Sequence, residues 1–145
     1  MKVRRMDHVG IIVDDLAAAK AFFLELGLEV LGEAEVEGEV VDRVTALHGV
    51  RSNIVMMGTG DGGTNIELAK FHTHPDGNGI QRPAANTLGI RHVTFQVEGI
   101  EEIVAKLEKK GGELFGPIQN YQGVYKLCYL RGPEGIILEL AEEIG

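Results

Sequence analysis

A chain of 145 residues, 44% hydrophobic and 25% charged, is long enough to bury a core and ordinary enough in composition for one compact globular domain. Its net charge of −8 argues against a general surface for nucleic acid or anionic membrane, since both need clustered Lys and Arg. A single cysteine, Cys128, excludes an internal disulfide; the polar start MKVRR and the lack of any apolar run near about 18 residues predict neither a signal peptide nor a spanning helix, and so a cytoplasmic protein.

Taken in order, residues 6–13 predict a strand. Asp14 and Asp15 can cap the helix that follows, LAAAKAFFLEL, whose apolar residues recur at helical spacing and which Gly27 ends. In that helix Phe22 and Phe23 are core residues. Residues 29–44 are strand-like and acidic, with Gly32 and Gly38 as turn or bulge points, and the run from Glu33 to Glu39 is a solvated edge. Residues 53–57 form a short strand, TGDGGTN a hairpin turn, and residues 65–70 pair back. Residues 71–89 are rich in Pro and Gly and lack periodicity, as in a linker; His72 and His74 within it are solvated rather than a metal pair. A strand over residues 90–97, a helix over 100–110 ended by Gly111-Gly112, and strands over 113–118, 124–130 and 136–141 complete the chain, with a turn at 131–135.

The second half repeats the first. MDHVGIIVDD and IRHVTFQVEG align with His8 over His92, Val9 over Val93 and Val13 over Val97, and the register runs on through Gly27 over Gly111 and Gly32 over Gly116. The ends agree as well, IELA with LELA, placing Glu67 over Glu139. One βαβββ unit is used twice, as module 1 (about 5–70) and module 2 (about 90–142). Side chains alternate across a strand, so His8, Gly10 and Ile12 share one face and His92, Thr94 and Gln96 another, each opposite a more apolar face. Glu67 and Glu139 lie on the corresponding faces of their own strands. Two imidazoles and two carboxylates lining a cavity form a plausible divalent-metal site, because a buried charge needs a partner or a metal.

DHVGIIVDDLAAAKAFFLELGLEV, NIELAKF, IRHVTFQVEGI and YLRGPEGIILEL together resemble the vicinal-oxygen-chelate superfamily: glyoxalase I, methylmalonyl-CoA epimerase, extradiol dioxygenases, fosfomycin-resistance enzymes and bleomycin-resistance proteins. The resemblance covers nearly the whole chain. It implies a single α+β domain over 1–145, with two tandem βαβββ modules forming a cupped mixed sheet around a metal cavity and helices outside. It implies His8, Glu67, His92 and Glu139 as metal ligands, a set similar to that of glyoxalase I and the epimerase. The ion would be Ni, Co, Zn or Mn. Such a site performs glyoxalase-like lyase or epimerase/isomerase chemistry on a small oxygenated substrate through a metal-stabilised enediolate, with Glu139 or Glu67 as the base.

The departures narrow the substrate. Glyoxalase I follows its ligand glutamate with a THNWG-like run that helps hold glutathione, whereas Leu-Ala-Lys-Phe-His follows Glu67 here. Its lysine–glycine loop is replaced by Asn120-Tyr121-Gln122-Gly123. Two alternatives stand. An Fe(II) extradiol-type dioxygenase needs only His8, His92 and Glu139, and Tyr129 matches its signature, but no His lies between Gly111 and Tyr129 to act as its acid–base. A non-catalytic antibiotic-binding protein would need no ligand set. Tyr121, Tyr125 and Tyr129 are candidate substrate-binding residues. Arg43, Arg51, Lys126 and Arg131 could each hold an anionic substrate but are first of all surface charges, and Arg51 is the one taken as a substrate-binding candidate. Cys128 reads as a small core hydrophobe. The family resemblance also implies a homodimer.

Overall fold

The computed structural model describes residues 1–145. Two compact units make up the chain, Met1–Gly79 and Ile80–Gly145, and their division falls within the Pro/Gly-rich stretch of residues 71–89. The first holds β1 (His8–Ile12), α1 (Leu16–Leu26), β2 (Glu29–Glu37), α2 (Glu39–Thr45), β3 (Arg51–Gly58) and β4 (Asn65–Phe71). The second holds β5 (Val93–Gln96), α3 (Ile100–Lys109), β6 (Glu113–Leu114), β7 (Gln119–Tyr121), β8 (Tyr125–Arg131), a 3-10 turn at Pro133–Gly135, and β9 (Ile137–Glu143). The class is α+β. Its strands form two mixed sheets, β1-β4-β3-β2 and β5-β9-β8-β6, with β7 added beside β8. In each sheet the unit's first and last strands run parallel, and the other pairs are antiparallel. No helix is long and apolar enough to cross a membrane.

Local chemistry explains most boundaries. Asp15 accepts a hydrogen bond from the Ala18 N–H at 3.0 Å and starts α1. Gly27, at φ 116°, ends it in the left-handed conformation that a Cβ disfavours. α1 buries Ala19, Phe22, Phe23 and Leu26, a stripe at helical spacing, and packs on β4. Val55, Met57, Ile66 and Leu68 are buried on one face of β3 and β4, paired as Val55–Leu68 and Met57–Ile66. In the second unit α3 buries Ile100, Val104 and Leu107 and packs on β9, where Leu138 and Leu140 are fully buried. Leu130 and Cys128 of β8 are buried as well, and burial pushes the Cys128 thiol pKa up, in keeping with an inert core position.

α3 lacks a capping side chain at Gly99, and tertiary structure supplies one. The Glu142 carboxylate of β9 accepts from the N–H groups of Gly99 (2.7 Å) and Ile100 (3.2 Å). Glu101 and Glu102 in its first turn and Lys106 and Lys109 in its last complement the helix dipole.

Three expectations need correction. The strand-like run of residues 29–44 stops at Glu37, and Glu39–Thr45 is the helix α2. Gly38 (φ 116°) turns the chain out of the strand, and the Asp42 carboxylate accepts from the Gly49 and Val50 N–H groups at 2.9 Å each, closing the connection to β3. Those two bonds hold the Asp42 carboxyl below the usual carboxylate range. Next, the strand expected over 113–118 is only Glu113–Leu114, because Gly116-Pro117 cannot continue the ladder; Gln119–Tyr121, expected as a loop, pairs instead with β8 across a Gln122-Gly123 turn, both residues having positive φ. Finally, β5 is shorter than residues 90–97, so His92 stands just before the strand. Gly32 does mark a register irregularity, and the exposed acidic strand β2 is an edge strand, as expected.

Candidate metal centre

The parallel pairs set the site. In β1 and β4 the register matches Gly10 with Glu67, two residues on from His8; in β5 and β9 it matches Thr94 with Glu139, two residues on from His92. The pleat therefore carries His8 and Glu67 to the same face of their sheet, and His92, one residue before β5, comes to Glu139's face, as their separation shows. His8 Nε2 lies 3.6 Å from Glu67 Oε2, and His92 Nε2 lies 3.9 Å from Glu139 Oε1. Both separations are too long for a hydrogen bond. The groups face each other without bonding, about a quarter to a third exposed.

That geometry suits a metal's donors. Two ligands held roughly 2.1 Å from one divalent ion stand about 3.0–3.4 Å apart, a few tenths of an ångström inside the observed gaps. A small side-chain rotation covers the difference, and imidazole with carboxylate is an appropriate set for Zn, Ni, Co, Mn or Fe. Nowhere in the chain do three or more His, Cys, Asp or Glu side chains gather into a metal-holding group; each unit carries one imidazole–carboxylate pair.

The two halves are supported differently. His8 Nδ1 is 2.8 Å from Asp7 Oδ2; in the neutral imidazole Nδ1–H then donates to that carboxylate and the Nε2 lone pair points toward Glu67. Arg5 bonds the other Asp7 oxygen at 2.9 Å. The bond from His8, then the charge of Arg5, hold the Asp7 carboxyl below its ordinary range. In the second unit Thr94 Oγ1 donates to Glu139 Oε1 at 2.8 Å. No hydroxyl stands over Glu67, because Gly10 occupies the matching place in the register. Thr94→Val keeps the shape and removes the donor; it is expected to weaken divalent-metal affinity about 10- to 100-fold, measured by competition with a chelating dye, with little change in melting temperature. Unchanged affinity would show that the Thr94 hydroxyl does nothing for Glu139.

The remaining candidates divide between faces. Tyr125 and Tyr129 alternate onto Glu139's face of β8, since Tyr129 pairs with Glu139 and Tyr125 with Glu143. Tyr121 pairs with Tyr125 and shares that face, more than half exposed. The Tyr129 ring lies against His92 at 5.0 Å between centroids. Arg51 stands at the exposed start of β3; alternation from Met56, the partner of Glu67, puts it on the opposite face, beside Asn53. His72 and His74 face local groups, His72 Nε2 being 2.6 Å from Asn53 Oδ1 and His74 meeting the His48 carbonyl. Of the other cations, Arg43 pairs with Glu39 and Lys126 with Glu101. Arg131 is on Glu139's face, its guanidinium 4.7 Å over the Phe115 ring. Of these residues sequence reasoning passed over only Phe115; Thr94 was placed on His92's face without a role, and Arg131 was read first as a surface charge. Thr94 had a visible signal in its parity with His92; Phe115 had none.

The sequence profile of the glyoxalase/bleomycin resistance protein/dioxygenase superfamily matches residues 7–129. The chain belongs to that superfamily. The fold is shared in full with a glyoxalase family protein of Bacillus cereus, at 46% identity and a TM-score of 0.95, covering 100% of this chain and 97% of that one. The trypanothione-dependent glyoxalase I of Leishmania major has the same fold at 24% identity and a TM-score of 0.67, over 97% of this chain and 88% of its own. The uncharacterized protein YwbC of Bacillus subtilis is 29% identical over 138 residues, 94% of this chain and 95% of that protein. Superfamily membership thus accounts for the duplicated βαβββ plan; the ligand set and reaction are matters of this chain's own residues.

Proposed function

We propose that the protein is a divalent-metal-dependent enzyme of the glyoxalase type, a lyase or epimerase/isomerase for a small oxygenated substrate, with His8, Glu67, His92 and Glu139 holding the ion. The observation that carries this is the duplicated imidazole–carboxylate pair, facing at 3.6 and 3.9 Å on equivalent positions of two sheets. A bound divalent ion would polarise a substrate carbonyl and so acidify the neighbouring C–H. The protein's own groups do the rest. Asp7 and Thr94 orient His8 and Glu139, and the Tyr129 ring walls the site beside His92. Thr94 steadies Glu139 but nothing comparable steadies Glu67, which favours Glu67 as the carboxylate that takes the proton and returns it.

The contact of Tyr129 with His92 also favours a second reading, an Fe(II) extradiol-type dioxygenase, since that tyrosine belongs to the dioxygenase signature. Elemental analysis of purified protein separates the two. Near-stoichiometric Ni, Co, Zn or Mn, with turnover in 2-oxoaldehyde-adduct lyase or epimerase assays, is the expected outcome. Iron with oxygen uptake on a catechol would establish the dioxygenase. No metal after reconstitution with any of these ions would overturn both.

A further inference from the structure

Three side chains on the open face of the second sheet form a continuous strip leading away from His92 and Glu139. The Tyr129 ring contacts His92, Phe115 meets Tyr129 edge-to-face at 6.0 Å and 87°, and Arg131 lies over Phe115 at 4.7 Å. The strands dictate this order. Leu114 pairs with Leu130, and the Phe115 N–H donates to the Tyr129 carbonyl at 3.0 Å, so Phe115 sits opposite Tyr129. Arg131 is two residues further along β8 on the same face, roughly 7 Å from Tyr129.

The charge at the end of the strip is not neutralised. Arg131 forms no ion pair, and the hydrogen bond it donates to the Gly135 carbonyl is a long one of 3.4 Å. The acid opposite it in the register, Glu113, is drawn away by Arg82 at 2.5 Å. A guanidinium stacked on an aromatic ring is oriented, and its planar fork matches a carboxylate. The corresponding face of the first unit has no such strip: Glu67 is beside Met56, and Met56 beside Gly32.

We propose that Tyr129, Phe115 and Arg131 form a subsite for an aromatic or conjugated carboxylic acid, the flat body lying on the two rings and the carboxylate on Arg131. The proposal rests on the metal-enzyme reading only for where the ligand's other, oxygenated end goes, beside His92 and Glu139. The substrate class is then a monoanionic planar acid with vicinal oxygens at the end remote from its carboxylate.

The test compares 2-naphthoate with its neutral analogue 2-naphthamide, titrated by NMR into metal-free protein and again after loading with Ni(II) or Zn(II). In the metal-free protein the carboxylate is expected to bind about tenfold more tightly than the amide, with Phe115 ring protons shifting for both. Arg131→Gln is expected to remove that preference while leaving amide binding unchanged, and Phe115→Leu to weaken both ligands. Equal affinity for the two ligands in wild type, or a preference that survives Arg131→Gln, overturns the subsite. Should Arg131→Gln fail to fold, the wild-type preference must still fall as salt rises from 0.05 to 0.5 M, roughly the range over which screening becomes short; a salt-independent preference also overturns it. Because one arm contains no metal, failure of the subsite and failure of the metal site give different results.

Discussion

His92→Ala is expected to leave the protein folded and, on the proposed function, unable to retain a divalent ion. The side chain is about one-third exposed and precedes β5, so its truncation removes little packing; a melting temperature within a few degrees of wild type follows. Metal retention is another matter. The change halves the imidazole complement and leaves Glu139, tied to Thr94, with no nitrogen donor facing it. Loss of a direct ligand should exceed the roughly 10- to 100-fold cost of losing a ligand's supporting partner. Metal per chain should therefore drop to background after dialysis, and turnover should fall at least about a thousandfold. Elemental analysis beside a thermal melt checks this. An unfolded variant is answered by His92→Gln, which keeps the volume and a weaker donor. A folded His92→Ala protein with full metal content would remove His92 from the site.

Phe23→Ala is expected to be the most damaging single change to stability. The ring is fully buried in the stripe that α1 lays on its sheet, edge-to-face with Phe22 at 5.7 Å, and its truncation leaves a cavity that the helix and strands cannot close. The cost should be about 3–5 kcal/mol, which lowers the melting temperature by roughly 10 °C in a chain of this size. Leu24 on the same helix is 45% exposed, and Leu24→Ala should cost less than about 1 kcal/mol. Similar losses for the two variants in chemical denaturation would show that the helix does not pack as described.

The duplicated plan was legible because it rests on two strict periodicities. Alternation in HVGII and NIELAKF placed His8 and Glu67 opposite buried Ile66 and Leu68, and the helix LAAAKAFFLEL carried its cap and its αL glycine in sequence. α2 was not legible. EVVDRVT holds three β-branched valines, which by propensity suit a strand, and its helix depends on Gly38 and on Asp42 reaching Gly49 and Val50 across a turn. β7 was hidden for the opposite reason: its local pattern is weak, and pairing with β8 makes it a strand.

The sequence by itself determined which four side chains sit on equivalent faces of repeated units, because the pleat allows a residue no other face once its neighbours are buried. Tertiary structure decided what stands beside them. Thr94 meets Glu139 while Gly10 leaves Glu67 bare, and Phe115 reaches Tyr129 and Arg131, through pairings between strands far apart in the chain. Alternation along one strand names a face, but only the register between strands names a neighbour.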